Sequence, residues 1–324
     1  MIQVCICTHS SDPITLEKVL KALCKQTLSP DQFNLLIIDN ANEPPISLKS
    51  YPYSALKSGK MKIKIIKEPL LGIAHARIRA LRETDAEVIV FVDDDNVLAD
   101  DFLKNAKKII KENPEVGCFS GKMLIPQGIK VPKWIEPLLG SLAIRNIDGP
   151  PIIDWFRGEW HPWLPTATAS MVLRREVAEA FLKNHASRSE FLQFGRKGRY
   201  GLMSGEDFLI ALSAADANLK CGYFSELVMY HFIRPGRLTL QHMARLMSLY
   251  AITDLKREIY MNWPPEPFLQ DELRYRLMAL DYKGKDIRAR FCYWLYQTIY
   301  TLGKTYRLTK ARKPLFKSGE SNVP

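Results

Sequence analysis

Apolar residues along the first third of the chain fall into short runs separated by segments of helical period. Ile2 to Thr8 (Ile-Gln-Val-Cys-Ile-Cys-Thr), Phe33 to Asp39 and Glu87 to Val92 are near-continuous apolar runs. Runs of this kind predict strands buried on both faces. Lys62 to Lys67 alternates Lys with Ile and predicts a further strand with one wet face. Asp12-Pro13 reads as a helix N-cap followed by Pro at the first helical position, opening a helix that runs to about Gln26. Further helices are predicted over Gly72–Thr84, Asp101–Glu112 and Glu206–Ala217, and a strand over Val228–His231. The middle of the chain, from about Gly117 to Tyr230, is less regular, with Trp134, Trp155, Trp160, Trp163 and many prolines. From Leu238 onward the period is helical, interrupted at Trp263-Pro264-Pro265-Glu266-Pro267.

Strands alternating with helices predict an α/β fold with a mostly parallel sheet flanked by helices. Such sheets bind ligands beyond the carboxyl ends of their strands. Three of these ends carry polar groups: Thr8-His9, Asp39-Asn40 and Asp93-Asp94-Asp95. They mark one candidate crevice.

Composition narrows the class. With 324 residues, 47% hydrophobic and 25% charged, the chain is long enough for one large domain or two ordinary ones and is not of disordered type. The net charge of +11 favours an anionic partner: nucleic acid, a membrane surface or a phosphorylated small molecule. The N-terminus lacks the features of a signal peptide, and no apolar run is long enough to span a membrane. The six cysteines form no Cys-x-x-Cys pair, which predicts reduced thiols in a cytoplasmic protein.

Three motifs carry chemistry. Asp93-Asp94-Asp95 closes a buried strand, and adjacent carboxylates there need raised pKa values or a cation. Mg2+ or Mn2+ suits oxygen ligands and bridges to phosphates. On an extended chain Asp93 and Asp95 share one side and Asp94 takes the other. The competing reading is an acidic turn capping the next helix, although Asp100 and Asp101 are placed to serve that helix start. Ser204-Gly205-Glu206-Asp207 opens the next helical pattern; Ser204 with Asp207 forms a capping box, or Asp207 is a general base held ionised by the helix dipole. His231 ends an apolar strand and is either a metal ligand or an ordinary structural histidine. Arg234 and Arg237 follow it and suit a diphosphate, or are simply surface arginines. No P-loop, Gly-x-Gly-x-x-Gly, His-Glu-x-x-His or Gly-x-Ser-x-Gly motif is present.

In combination these residues resemble the inverting family-2 glycosyltransferases of bacterial polysaccharide and glycan synthesis, which have the GT-A fold. The resemblance spans residues 2–237. It rests on Val4 to His9, Leu36 to Asn40, the Gly72-x-x-x-Ala76-Arg77 helix, Phe91 to Asp95, Ala169 to Arg175, Glu206-Asp207 and His231, in that order. Ile78 stands where the family usually has Asn after Arg77. The resemblance implies metal-dependent transfer of a sugar, with inversion, from a nucleotide diphosphate donor to a hydroxyl of a glycan or lipid-linked acceptor. It assigns Thr8, His9 and Asp39 to the nucleotide base side, Asp93 or Asp94 to the ribose, and Arg77, Arg234 and Arg237 to the nucleotide and diphosphate. Asp95 and His231 would hold the divalent metal, Mn2+ or Mg2+. Asp207 would be the base, and Glu206 would orient the acceptor. Residues 1–237 would form the catalytic domain, with a nucleotide half at 1–116 and an acceptor half at 117–237, followed by a helical basic extension at 238–324.

Trp155, Trp160, His161 and Trp163 are placed to line an acceptor site by stacking on sugar rings, or are ordinary core residues. The loop from Ser187 to Met203 carries Arg188, Arg196, Lys197 and Arg199 among glycines, and suits closure over a diphosphate or is merely a surface loop. Residues 282–324 hold ten Lys and Arg against two acids, which leaves only +3 on residues 1–281. Basic residues there flank the aromatic stretch Phe291 to Tyr300, a pattern suited to an anionic membrane interface at the inner face of the cell membrane. Packing on the catalytic domain or a homodimer interface are the competing readings. Nucleic acid ranks last among the partners, because the crevice is acidic and no reading module is present. Two rival functions are a sugar-nucleotide nucleotidyltransferase, whose Gly-rich N-terminal loop is missing after Ile6, and a catalytically silent sugar-nucleotide-binding protein.

Overall fold

The computed structural model describes residues 1–47, 61–156, 168–197, 204–262 and 286–311. Two compact units are present, Met1–Thr239 and Leu240–Pro324.

In the first unit the central strands are β1 (Ile2–Thr8), β2 (Phe33–Asn40) and β4 (Val88–Asp93), with β3 (Ile63–Glu68) outside β2. These four run parallel, and β1 and β2 are buried almost throughout, as near-continuous apolar runs require. Lys64, Ile65 and Lys67 of β3 face solvent, so the alternating pattern belongs to the edge strand. The sheet then turns mixed: β8 (Val172–Arg174) lies antiparallel between β4 and β6 (Val116–Leu124), and β9 (Lys220–His231) is parallel to β6. Two short strands, β5 (Asn96–Leu98) and β7 (Ile152–Asp154), pair antiparallel with β9. The expected strand at 228–231 is thus the end of a longer one.

Helix α1 (Pro13–Cys24) begins where the sequence places it: the Asp12 carboxylate accepts from Thr15 N–H at 3.2 Å. Its apolar face, Leu16, Val19, Leu20 and Leu23, packs with Val4, Ile6, Leu35 and Ile37 of the sheet. Helix α2 (Ile73–Arg82) follows β3, and α3 (Phe102–Glu112) follows β5, burying Phe102, Leu103, Ala106 and Ile109. The expected acidic cap of α3 is corrected here. Asp101 makes no side-chain cap, and Gln26 Oε1 accepts from Leu103 N–H at 3.0 Å instead. The same amide donates to Ala99 O at 2.8 Å, so one buried glutamine from the end of α1 organises the start of α3. Helices α4 (Arg175–Asn184) and α5 (Glu206–Asp216) complete this unit.

The second unit contains α6 (Leu240–Tyr260) and α7 (Ile287–Ala311), which pair with each other. Tyr296 donates to Asp254 at 2.6 Å, and Tyr300 and Arg307 both donate to Glu258. Part of the aromatic and basic character of α7 is therefore used inside the helix pair. Ile287, Phe291, Trp294, Leu302 and Tyr306 remain exposed, Trp294 at 58%. Among the described residues no helix is long and apolar enough to cross a membrane. The Trp263–Pro267 interruption lies outside the described residues.

Strands β6 and β9 come close together at Gly121, where their register slips. A Cβ there would stand 2.6 Å from Phe224 O and closer still to Leu227. Gly121→Ala is expected to cost about 1–3 kcal/mol in denaturant unfolding. A variant as stable as the parent would show that this strand pair tolerates widening.

Candidate active site

Strand register lines up the three polar ends. Thr8 of β1 pairs with Asp39 of β2, and Cys7 with Asp93 of β4. Asp39 is buried and organises the loop after it: Oδ1 accepts from Asn42 Nδ2 at 2.6 Å, and Oδ2 accepts from Ile46 N–H at 3.0 Å. Asn42 Nδ2 also donates to Thr8 O at 2.9 Å, closing β1 and β2 into one rim. His9 Nδ1 lies 2.7 Å from Asn40 O, and a carbonyl cannot donate, so the proton sits on Nδ1. Asn40 in turn accepts from Gly72 N–H at 2.9 Å, which anchors the entrance to α2.

The acidic triplet is not extended, contrary to the sequence expectation. Asp93 ends β4, Asp94 and Asp95 form a turn, and β5 resumes at Asn96. The turn sends each carboxylate to a different partner. Asp93 Oδ1 faces Arg77 Nη2 at 3.5 Å. Asp94 Oδ2 accepts from Thr8 Oγ1 at 2.6 Å. Asp95 Oδ1 accepts from Asn96 Nδ2 at 2.7 Å, while Oδ2 faces His231 and Arg237. Burial, followed by the charge of Asp95, pushes Asp94 up to about 7. Burial also works against ionisation of Asp95, and the positive charges of Arg237 and Arg196 act in the opposite direction.

Pairing of β5 with β9 sets Asn96 opposite His231, which brings His231 beside Asp95. Its Nδ1 lies 3.0 Å from Leu142 O and carries a proton, while Nε2 faces Arg237 Nη1, which can only donate, and so presents its lone pair there. Nε2 is 3.5 Å from Asp95 Oδ2, and Arg237 Nη1 stands 3.1 Å from Nε2 and 3.4 Å from that Oδ2. An oxygen and a neutral imidazole nitrogen aimed at one point fit a Mn2+ or Mg2+ ion that takes its other ligands from phosphates and water. Among the described residues no group of three or more His, Cys, Asp or Glu could hold a metal by itself. Arg234 is exposed at the same rim.

The acidic pair at the start of α5 departs from expectation. Gly205, not Ser204, is the N-cap, with φ +116°, and no side chain caps the helix. A φ in that range suits glycine, and it rules out the Ser204–Asp207 capping box. Glu206 is buried: Oε1 pairs with Arg77 Nη1, and Oε2 has no hydrogen-bond partner among the described residues. Gly195, also at positive φ, packs here; a Cβ on it would meet Ile73 at 2.7 Å and Glu206 at 3.3 Å. Asp207 is half-buried and accepts from its neighbour Phe208 N–H at 2.9 Å. Burial and then the Glu206 charge push Asp207 up to about 7, against the opposing charges of Arg77 and Arg145.

Two of the expected site residues pair with each other. Arg77, expected beside the nucleotide, is 4% exposed and bridges Glu206 to Asp93. Glu206, expected to orient the acceptor, is turned inward onto Arg77. Trp155 is exposed, and its neighbour Phe156 packs edge-on against Phe208 at 4.8 Å, which ties that segment to the first turn of α5. Trp160, His161 and Trp163 lie outside the described residues, as do residues 198–203 of the basic loop. Sequence reasoning missed Asn42, Arg145 and the Leu142 carbonyl. Only Asn42, in a turn-rich segment after a strand end, carried any local signal.

Replacing Arg77 with Met leaves Glu206 buried beside Asp93 with no counter-charge. Thermal or denaturant unfolding should register a loss of about 3–5 kcal/mol. Adding Glu206→Gln should recover most of it. A single Arg77→Met variant of parental stability would remove the bridge as a structural element.

The model of glycosyl transferase family 2 matches residues 3–178, more than half of the chain. That span ends before Glu206, Asp207 and His231. No curated protein sequence matches the chain. Among solved structures, the mannosyltransferase PcManGT from Pyrobaculum calidifontis, in complex with GDP-Man and Mn2+, is 17% identical with a TM-score of 0.50, over 96% of this chain and 88% of that one. S. aureus TarS 1–349 in complex with UDP is 16% identical with a TM-score of 0.48, over 95% and 91% of the two chains. The matched family span contains Thr8, Asp39, Arg77 and the Asp93–Asp95 turn, and with this sheet order the chain belongs to glycosyl transferase family 2 and is a glycosyltransferase of the GT-A fold.

Proposed function

We propose that this enzyme transfers a sugar, with inversion, from a nucleotide diphosphate donor to a hydroxyl of a glycan or lipid-linked acceptor. The observation that carries the reading is Asp207, a half-buried carboxylate pushed up to about 7 at the start of α5, with Glu206 beside it anchored through Arg77 to the end of β4. A base of that strength is matched to proton removal near neutral pH. Thr8, His9 and Asp39 frame the base side of the nucleotide. Asp94 contacts the ribose, since Asp93 is engaged by Arg77. Arg234 and Arg237 meet the diphosphate. The acceptor oxygen bonds to the anomeric carbon as the bond to the diphosphate breaks, and the hydroxyl proton passes to Asp207. Trp155, Trp160, His161 and Trp163 serve the acceptor. Asp95 and His231 would hold a divalent metal, which supplies positive charge to the departing diphosphate. The GDP-Man and Mn2+ bound by PcManGT make GDP-sugars with Mn2+ a first choice of donor and metal.

The exposed Ile287, Phe291, Trp294 and Leu302 of α7 recur at helical spacing and form one apolar stripe. Ten cations in residues 282–324 surround it in sequence. We infer that this stripe docks on the anionic inner face of the cell membrane, next to a lipid-linked acceptor.

Asp207→Asn should lower transfer by about 10^2–10^4-fold while calorimetry finds donor binding unchanged. Because the base must be ionised, kcat/KM should rise about tenfold per pH unit up to about 7 and then level. A flat profile from pH 5 to 8, or full activity in Asp207→Asn, would exclude Asp207 as the base. For the membrane reading, the full chain should sediment with phosphatidylglycerol vesicles but not with phosphatidylcholine vesicles. Phe291→Ser with Trp294→Ser should abolish this. Equal sedimentation of the variant, or a vesicle-independent dimer lost in it, would replace the membrane with another occupant.

A further inference from the structure

Arg237 stands at the point on which Asp95 and His231 converge. Its Nη1 lies 3.1 Å from His231 Nε2 and 3.4 Å from Asp95 Oδ2, and those two atoms are 3.5 Å apart. The pair itself is held by backbone and second partners. Asn96 pairs with His231 across β5 and β9, Phe232 N–H donates to Asp95 O at 2.9 Å, and Leu142 O fixes the imidazole. Arg237 comes from the short helical turn Pro235–Arg237 after β9, on a long side chain. The acceptors are thus held from several sides, while the guanidinium sits at the end of a long, rotatable side chain.

Neutral imidazole has one lone pair, and it lies in the ring plane at Nε2. A donor N–H from Arg237 and a metal ion need the same lone pair and the same side of the Asp95 carboxylate. They cannot both have it.

We propose that Arg237 is a resident counter-cation that holds Asp95 and His231 in ligating geometry and must be displaced when a divalent metal binds. This rests on the metal reading given under the proposed function. Before exchange, the guanidinium relieves the charge of Asp95 and satisfies Nε2, so the site keeps its shape. The exchange lowers the affinity for metal alone, because each binding event breaks the Arg237 contacts to Asp95 and His231. A diphosphate arriving with the metal accepts the released guanidinium through charge-assisted hydrogen bonds, so metal and donor favour each other's binding.

The test titrates Mn2+ alone into the full chain, followed by calorimetry and by the loss of the free-ion EPR signal. Arg237→Gln should bind Mn2+ about tenfold more tightly than the parent, since a competing charge is gone. Arg237→Lys keeps the charge and should stay near the parent. Thermal unfolding should show a larger Mn2+ stabilisation for Arg237→Gln than for the parent. If the parent binds Mn2+ through Asp95, lost in Asp95→Asn, and Arg237→Gln binds no more tightly, the exchange is overturned while the metal site stands. If Asp95→Asn binds Mn2+ as the parent does, or none of the chains binds it, the metal reading itself fails and the exchange with it.

Discussion

The site depends on one buried cation. Arg77 is almost without water, and a guanidinium removed from water is costly unless its charge is matched on the spot. Burial works to lower its pKa, but Glu206, Asp93 and Asp207 outweigh that and raise it, so it stays charged. The two acceptors come from distant parts of the chain: Asp93 ends a strand of the parallel half, and Glu206 opens α5. A lysine could offer one charge at one point; a planar fork reaches both carboxylates at once. The bridge therefore joins the parallel strands to the helix that carries Asp207. It also sets the local field, because Glu206 raises Asp207 while Arg77 restrains the rise.

The second constraint is the turn after β4. Three consecutive carboxylates cannot share one environment without protonation or a counter-charge. The turn gives them three: a buried arginine for Asp93, a hydroxyl donor for Asp94, and a second arginine and the Asn96 amide for Asp95. Their ionisation diverges accordingly, Asp94 up and Asp95 down. Neighbours in sequence are thereby given different chemical tasks by their partners alone.

Much of this was legible in the sequence where the signal is local. Apolar runs marked β1, β2 and β4, Asp12-Pro13 marked the start of α1, and the strand-end rule led to Thr8, Asp39 and the triplet together. What escaped depends on contacts between residues far apart. Arg77 meets Glu206 across 129 positions, and no periodicity connects them. The capping box at Ser204 matched its pattern, yet the positive φ of Gly205 decided otherwise. The extended reading of Asp93–Asp95 failed because β5 begins one residue later and pairs with β9, which forces a turn between the strands. Gln26 replaced Asp101 as the cap of α3 because a buried amide can serve α1 and α3 together.

Net charge was a poor guide to the crevice. The diphosphate of the proposed donor carries negative charge, yet the strand ends of the crevice present carboxylates, and the buried cation Arg77 is committed to two of the acids in the same region. In the proposed function, attraction for that anion would come from cations still near the surface, Arg196, Arg234 and Arg237, or from a metal held by Asp95. Arg237 is partly engaged by Asp95 and His231. Under the proposed function the acidic turn draws cations, and those cations recruit the donor. On that logic a site can be acidic in sequence and still select a phosphorylated substrate. The excess positive charge, concentrated after residue 281, is left to act elsewhere. In α7 some of it is neutralised by Glu258, and the same helix carries an exposed apolar stripe.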